Sequence, residues 1–64
     1  MQFKLEFNMY NDAFQDGNRE TEIARVLVSV RQDLMDGLEQ GKVRDYNGNT
    51  IGQWNIEKGK EHNE

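Results

Sequence analysis

Residues 43–57, VRDYNGNTIGQWNIE, constrain this chain more than any other stretch. Asn47-Gly48 readily takes the positive backbone angles of a tight turn, and β-branched and aromatic residues flank it, so a β-hairpin is predicted. The spacing poses a register problem. With a two-residue turn, Val43 shares a face with Gly52, Trp54 and Ile56, while Ile51 points the other way beside Arg44. With a three-residue turn bulged at Gly48, Val43 meets Ile51 instead. A second irregularity, at Gly52, then brings Trp54 and Ile56 back to that face. Either way the hairpin carries the only tryptophan of a chain of 64 residues.

At that length a domain buries only about 60% of the surface its unfolded chain exposes. The chain has no cysteine, so neither disulfides nor thiolate metal sites can reinforce so thin a core. The rest must therefore be well patterned, and it is. QFKLEFNM alternates, with Phe3, Leu5, Phe7 and Met9 on one face and Gln2, Lys4, Glu6 and Asn8 on the other, as a half-buried strand does. YNDAFQDGN follows as an acidic connection, in which Asp12 and Gln15 are placed to cap one helical turn that tucks Phe14 inward, before Gly17 ends it. From Asn18, a candidate N-cap, the period becomes helical: Ile23, Val26, Leu27, Val30, Leu34 and Leu38 form one stripe, with Glu20 and Glu22 in the first turn. Gly41 is the expected C-cap, so the helix is predicted from about residue 19 to about residue 39, with Gly37 as a weak point.

The element order β-α-β-β gives an α+β fold, one helix packed on one face of a three-stranded sheet with a C-terminal hairpin, the other sheet face open. Residues 1–57 form the domain, and 58–64, KGKEHNE, are predicted to be a disordered tail. A helical crossover favours parallel strands, so the first strand is expected to pair in parallel with one hairpin strand, preferably the last. No run is long enough to span a bilayer, no signal-peptide pattern opens the chain, and the cysteine count suits a reducing compartment; a cytoplasmic protein is expected.

Chemistry has little to work with. The single histidine, His62, lies near the end of the tail, so no nucleophile–base–orienter set can be held there. Asp12, Asp16, Asp33, Asp36 and Asp45 offer carboxylates, but so small a domain has little interior in which to shift a pKa. DYNGN lacks the rest of a calcium loop and reads as a turn. No catalytic, cofactor or metal site is expected, and the chain is read as a non-enzyme.

Surfaces remain. The net charge of −4, from 12 acidic and 8 basic side chains, works against nucleic acid as a partner. Lys4, Arg44 and Tyr46 on the open sheet face are the residues that would serve it. Glu22, Asp33, Asp36 and Glu39, with Arg25 among them, ring the outer helix and would be the basis of any mimicry of a nucleic-acid backbone. The more informative feature is a shoulder of Ala24, Val28 and Met35 beside the main stripe, enclosing Arg31. It widens the apolar arc to roughly 200°, more than one small sheet can cover. Either the 10–18 connection folds over it with Tyr10 and Phe14, or a partner does, whether another protein or a second copy of the chain.

The pattern of an aliphatic residue, Arg-Asp, any residue, Asn-Gly-Asn, then Gly and Trp is met by Val43, Arg44, Asp45, Asn47, Gly48, Asn49, Gly52 and Trp54. With a preceding strand like FKLEFNM and a helix like EIARVLVSV, it resembles a group of short uncharacterised proteins encoded in phages, prophages and other mobile elements. The resemblance covers nearly the whole chain, and its motif consists mostly of turn and packing residues. It implies context alone: such proteins are often accessory factors that bind host machinery, including inhibitors of restriction or CRISPR systems. Read together, these features make the chain a small protein-binding accessory module whose partner is a host protein or complex, with a nucleic-acid accessory or a self-associating domain as the alternatives.

Overall fold

A computed structural model describes residues 1–15 and 17–59. Asp16, His62 and the tail beyond Gly59 lie outside the described residues. The elements are β1 (Gln2–Phe7), a 3-10 turn (Asp12–Phe14), α1 (Arg19–Met35), β2 (Gln40–Arg44) and β3 (Thr50–Glu57). The fold is α+β: a three-stranded antiparallel sheet in the order β1-β3-β2, with α1 connecting β1 to β2 and packed on one face.

β1 does pair with the last strand, but antiparallel, with Phe3 opposite Ile56 and Leu5 opposite Trp54. The expectation of a parallel pair fails for a simple reason. Crossover parallelism applies to the two strands that the helix joins, and β1 and β2 do run in the same direction. β3, as the hairpin partner of β2, must run against both, and it inserts between them as in a split β-α-β unit.

The hairpin has the three-residue turn, but its second irregularity falls at Ile51 and not at Gly52. Gly48 N–H donates to the Asp45 carbonyl and Asp45 N–H to the Asn49 carbonyl, each at 3.0 Å, enclosing a three-residue loop with Gly48 at φ +88°. Arg44 then pairs with Thr50 but Val43 with Gly52, so Ile51 is the extra residue of a bulge rather than the ladder partner of Val43. The bulge turns Ile51 to the same side as Val43 and Trp54, and all of these side chains are buried.

α1 is shorter than its hydrophobic period suggested. Gly37 N–H bonds the Leu34 carbonyl and Leu38 N–H bonds the Asp33 carbonyl, each at 3.0 Å, with Gly37 at φ +87°. That is a Schellman stop at Gly37, not a cap at Gly41, and it leaves Leu38 beyond the helix. At the other end Asn18 is the N-cap residue, without a side-chain capping bond. The 3-10 turn is capped by Asn11, whose side chain accepts from Ala13 N–H, rather than by Asp12. Its Phe14 stacks on Phe7 with ring centroids 6.0 Å apart and is buried together with Ala13.

The core therefore consists of Ala13, Phe14, Val26, Val30, Val43, Ile51 and Trp54, with Leu5, Phe7, Ile23 and Ile56 packed partly against it. Of the expected helical stripe only Val26 and Val30 are buried; Leu27, Leu34 and Leu38 are exposed, as is Phe3 on β1. Lys58, expected in the tail, reaches Glu39 with a 3.0 Å ion pair. No described helix is long and apolar enough to cross a membrane.

Candidate functional site

One flank of α1 is polar and tied to the hairpin. Glu22 is buried and receives Arg25 in a two-bond fork, Nε to Oε1 at 3.0 Å and Nη2 to Oε2 at 2.8 Å. Arg25 Nη2 also donates to the Arg44 carbonyl at 2.6 Å, and Tyr46 N–H donates to Glu22 Oε2 at 3.0 Å. Further along, Trp54 Nε1 donates to Asp33 Oδ2 at 3.3 Å. These bonds fix the rotation of the helix about its axis, with Glu22, Arg25 and Asp33 toward β2, against which α1 packs.

Below this flank Asp45 is buried at the mouth of the turn. Its Oδ1 accepts the Asn47 and Asn49 N–H groups, both at 2.9 Å, and its Oδ2 accepts Asn49 Nδ2 at 3.2 Å and Asn11 Nδ2. Burial alone would raise the Asp45 pKa, but the Asn49 and Asn47 N–H groups and the two asparagine amides outweigh it and hold the carboxyl below its usual range. Glu22 is also held low, first by the Arg25 hydrogen bond, against burial and the nearby Asp45 charge. Both carboxylates are satisfied by fixed donors, so their chemistry is structural: Arg44-Asp45-x-Asn47-Gly48-Asn49 is a turn-building motif. Glu22 and Asp33 are thereby removed from the acidic ring read from the sequence, and with Arg25 engaged that ring does not form a free anionic surface. Among the described residues no group of three His, Cys, Asp or Glu side chains is placed to hold a metal ion.

The opposite flank is apolar and bare. At about 100° per residue the arc continues from buried Val30 through Ile23, Leu34 and Leu27 to Arg31, Ala24, Met35 and Val28. Ala24, Val28, Arg31 and Met35 share this arc and are all exposed, Val28 and Met35 at 62% and 69%. Leu27 and Leu34 join them, residues that the sequence pattern had assigned to the core. The described residues of the 10–18 connection do not cover this surface: Phe14 turns into the core and Tyr10 faces solvent.

The open sheet face carries Gln2, Lys4, Glu6, Gln40, Lys42, Arg44, Gln53, Asn55 and Glu57, and holds a shallow depression of ≈ 560 Å³ along β2 and β3. Lys4 pairs with Glu57 at 3.3 Å. Lys4 lies beside Asn55 and Arg44 beside Thr50 on opposite edge strands, which separates them by roughly 15–20 Å. Tyr46 belongs to the turn, where it is exposed. The three do not converge on one site.

Sequence reasoning missed the Glu22–Arg25–Asp45–Asn11 cluster. The available signal was Asp45 followed by asparagines at the spacing of an Asx-turn, but nothing local announces that Asn11 and Glu22 meet it. In comparisons with protein-family models, curated proteins and solved structures, this chain matches none of them.

Proposed function

We propose that this protein is a small, non-enzymatic, cytoplasmic protein-binding module that occludes or pairs with a host protein through the apolar flank of α1. Its specific form is a mobile-element inhibitor of host nucleic-acid machinery, of the anti-CRISPR or anti-restriction type. One observation carries the reading: Val28 and Met35 stand exposed on either side of Arg31, on a helix whose rotation is fixed by bonds on its other flank. An apolar centre with one long cation is the composition of a protein interface, and Arg31 selects a partner that presents a carboxylate at its rim. The resemblance of the hairpin to mobile-element proteins supplies the host context.

The test is affinity capture from host lysate, with and without nuclease, using wild type beside Val28→Glu. A partner that survives nuclease and is lost with Val28→Glu supports the reading. Capture that depends on nucleic acid, falls steeply with salt and is lost with Lys4→Glu or Arg44→Glu would instead favour a nucleic-acid accessory. Val28 is exposed, so the variant should fold as wild type does.

A further inference from the structure

β1 is an edge strand with a free side: in the sheet order β1-β3-β2 no strand among the described residues pairs with its outer edge. Asn8 N–H donates to the Ile51 carbonyl of β3 at 3.0 Å. Main-chain groups of alternate residues in a strand point to the same side, so Gln2, Lys4 and Glu6 bond β3, while Phe3, Leu5 and Phe7 aim N–H and C=O at the open edge. Most edge strands are blunted by charge, proline, bulges or shortness. β2, the other edge, is shorter and has a bulge opposite it between Val43 and Arg44. β1 is regular, and its inward face is incompletely covered: Phe3 is 49% exposed, and Leu5 and Phe7 are only partly buried.

The chemistry of β1 is symmetric about Leu5. Phe3 mirrors Phe7, Lys4 mirrors Glu6 with opposite charge, and Gln2 mirrors Asn8. We propose that two copies of the chain pair antiparallel through β1, with Leu5 opposite Leu5 on the two-fold axis, joining their sheets into one. This register matches the outward main-chain groups of Phe3, Leu5 and Phe7 to Phe7, Leu5 and Phe3 of the second copy. On the inward face it sets phenylalanine beside phenylalanine around a leucine pair. On the open face it sets Lys4 opposite Glu6 of the second copy, twice. Neighbouring registers are worse: centring on Lys4 or on Glu6 places like charges opposite each other, and a slip to a between-residue axis sets inward side chains against outward ones.

The rotation of α1 fits the same seam. Its polar flank is bonded toward β2, so its apolar flank, with Leu27 and Leu34, overhangs the β1 side. Pairing through β1 turns these flanks of the two copies toward one another. The seam is independent of the host partner proposed above, which would sit on the outer residues Val28, Arg31 and Met35.

Sedimentation of the wild type should give twice the 7.5 kDa chain mass. Lys4→Glu and Glu6→Lys should each weaken the dimer roughly tenfold by setting like charges opposite each other twice, and the double variant should restore it. Glu57→Lys, which breaks the Lys4–Glu57 pair within one chain, should leave the dimer intact, as should Val28→Glu. In the cysteine-free chain, Leu5→Cys should cross-link under mild oxidation, because directly opposite hydrogen-bonded residues stand about 5.5 Å apart at Cα, within disulfide reach. A wild type that stays monomeric at high concentration overturns the proposal. So does a dimer indifferent to the single charge reversals, or one that the double reversal fails to restore.

Discussion

Gly52→Ala tests how closely β1 and β3 approach. A Cβ built at Gly52 would lie 2.1 Å from the Glu6 carbonyl oxygen and 2.5 Å from both Cα and Cβ of Phe7. Ordinary contact begins at 3.4 Å, so the strands must part by more than about 1 Å, against a normal interstrand spacing of about 4.8 Å. The obstacle is backbone, which no rotamer change can move aside. Parting also stretches the Asn8 N–H bond to the Ile51 carbonyl, now 3.0 Å, beyond useful length. Overpacking costs about 1–3 kcal/mol and each lost main-chain bond about 1 kcal/mol, so a loss of roughly 3 kcal/mol is expected. A chain this small has a total stability on the order of 3–10 kcal/mol, and each kcal/mol corresponds to about 4–8 °C of melting temperature. Thermal and urea unfolding followed by circular dichroism should therefore show Gly52→Ala melting roughly 12–24 °C below wild type. Gly48→Ala, where a Cβ meets nothing within 4 Å and only the φ of +88° resists, should cost only about 1–2 kcal/mol. If Gly52→Ala unfolds no more readily than Gly48→Ala, the close approach at the bulge is wrong, and with it the register that places Ile51 in the core.

Trp54→Phe removes the N–H that bonds Asp33 and leaves a void where the side chain is 1% exposed; a loss of about 2–3 kcal/mol in urea unfolding is expected. Glu22→Ala takes away the acceptor of Arg25 and of Tyr46 N–H, and should cost about 2 kcal/mol, moderated because Arg25 can turn to water. Acid should loosen the hairpin first. Glu22 and Asp45 have folded pKa values below their ordinary ones, so the stability they contribute is fully present above a pH of about 5 and lost as pH falls through the lower folded values. The amide exchange of Tyr46, Asn47 and Asn49 should rise across that window; protection unchanged down to strongly acid pH would refute the assignment.

Local chemistry fixes much of this molecule. The alternation of Phe3, Leu5 and Phe7 makes a strand, the helical spacing of Ile23, Val26 and Val30 makes a helix, and Asn47-Gly48 makes the turn, because each depends on the conformations and burial of near neighbours. That the second hairpin strand needs an irregularity was also legible, since Ile51 is out of phase with Trp54, but it falls at Ile51, with Gly52 pairing Val43, and not at Gly52. The helix stop was misplaced because two glycines compete for the role, and the apolar period continues to Leu38 past the one at which the chain turns.

The rest depended on residues far apart in the chain. Periodicity shows how wide the apolar arc of a helix is, but not which part of it meets the sheet. Here that setting follows from Arg25 reaching the Arg44 carbonyl and Asp33 reaching Trp54, contacts across 19 and 21 positions that no local pattern encodes. The same rotation buries Val26 and Val30 and leaves Leu27 and Leu34 in solvent, so residues of one stripe divide between core and surface. The insertion of β3 between β1 and β2 is likewise a tertiary outcome: it gives β3 hydrogen-bonding partners along both of its edges and leaves β1, with its symmetric chemistry, at the edge.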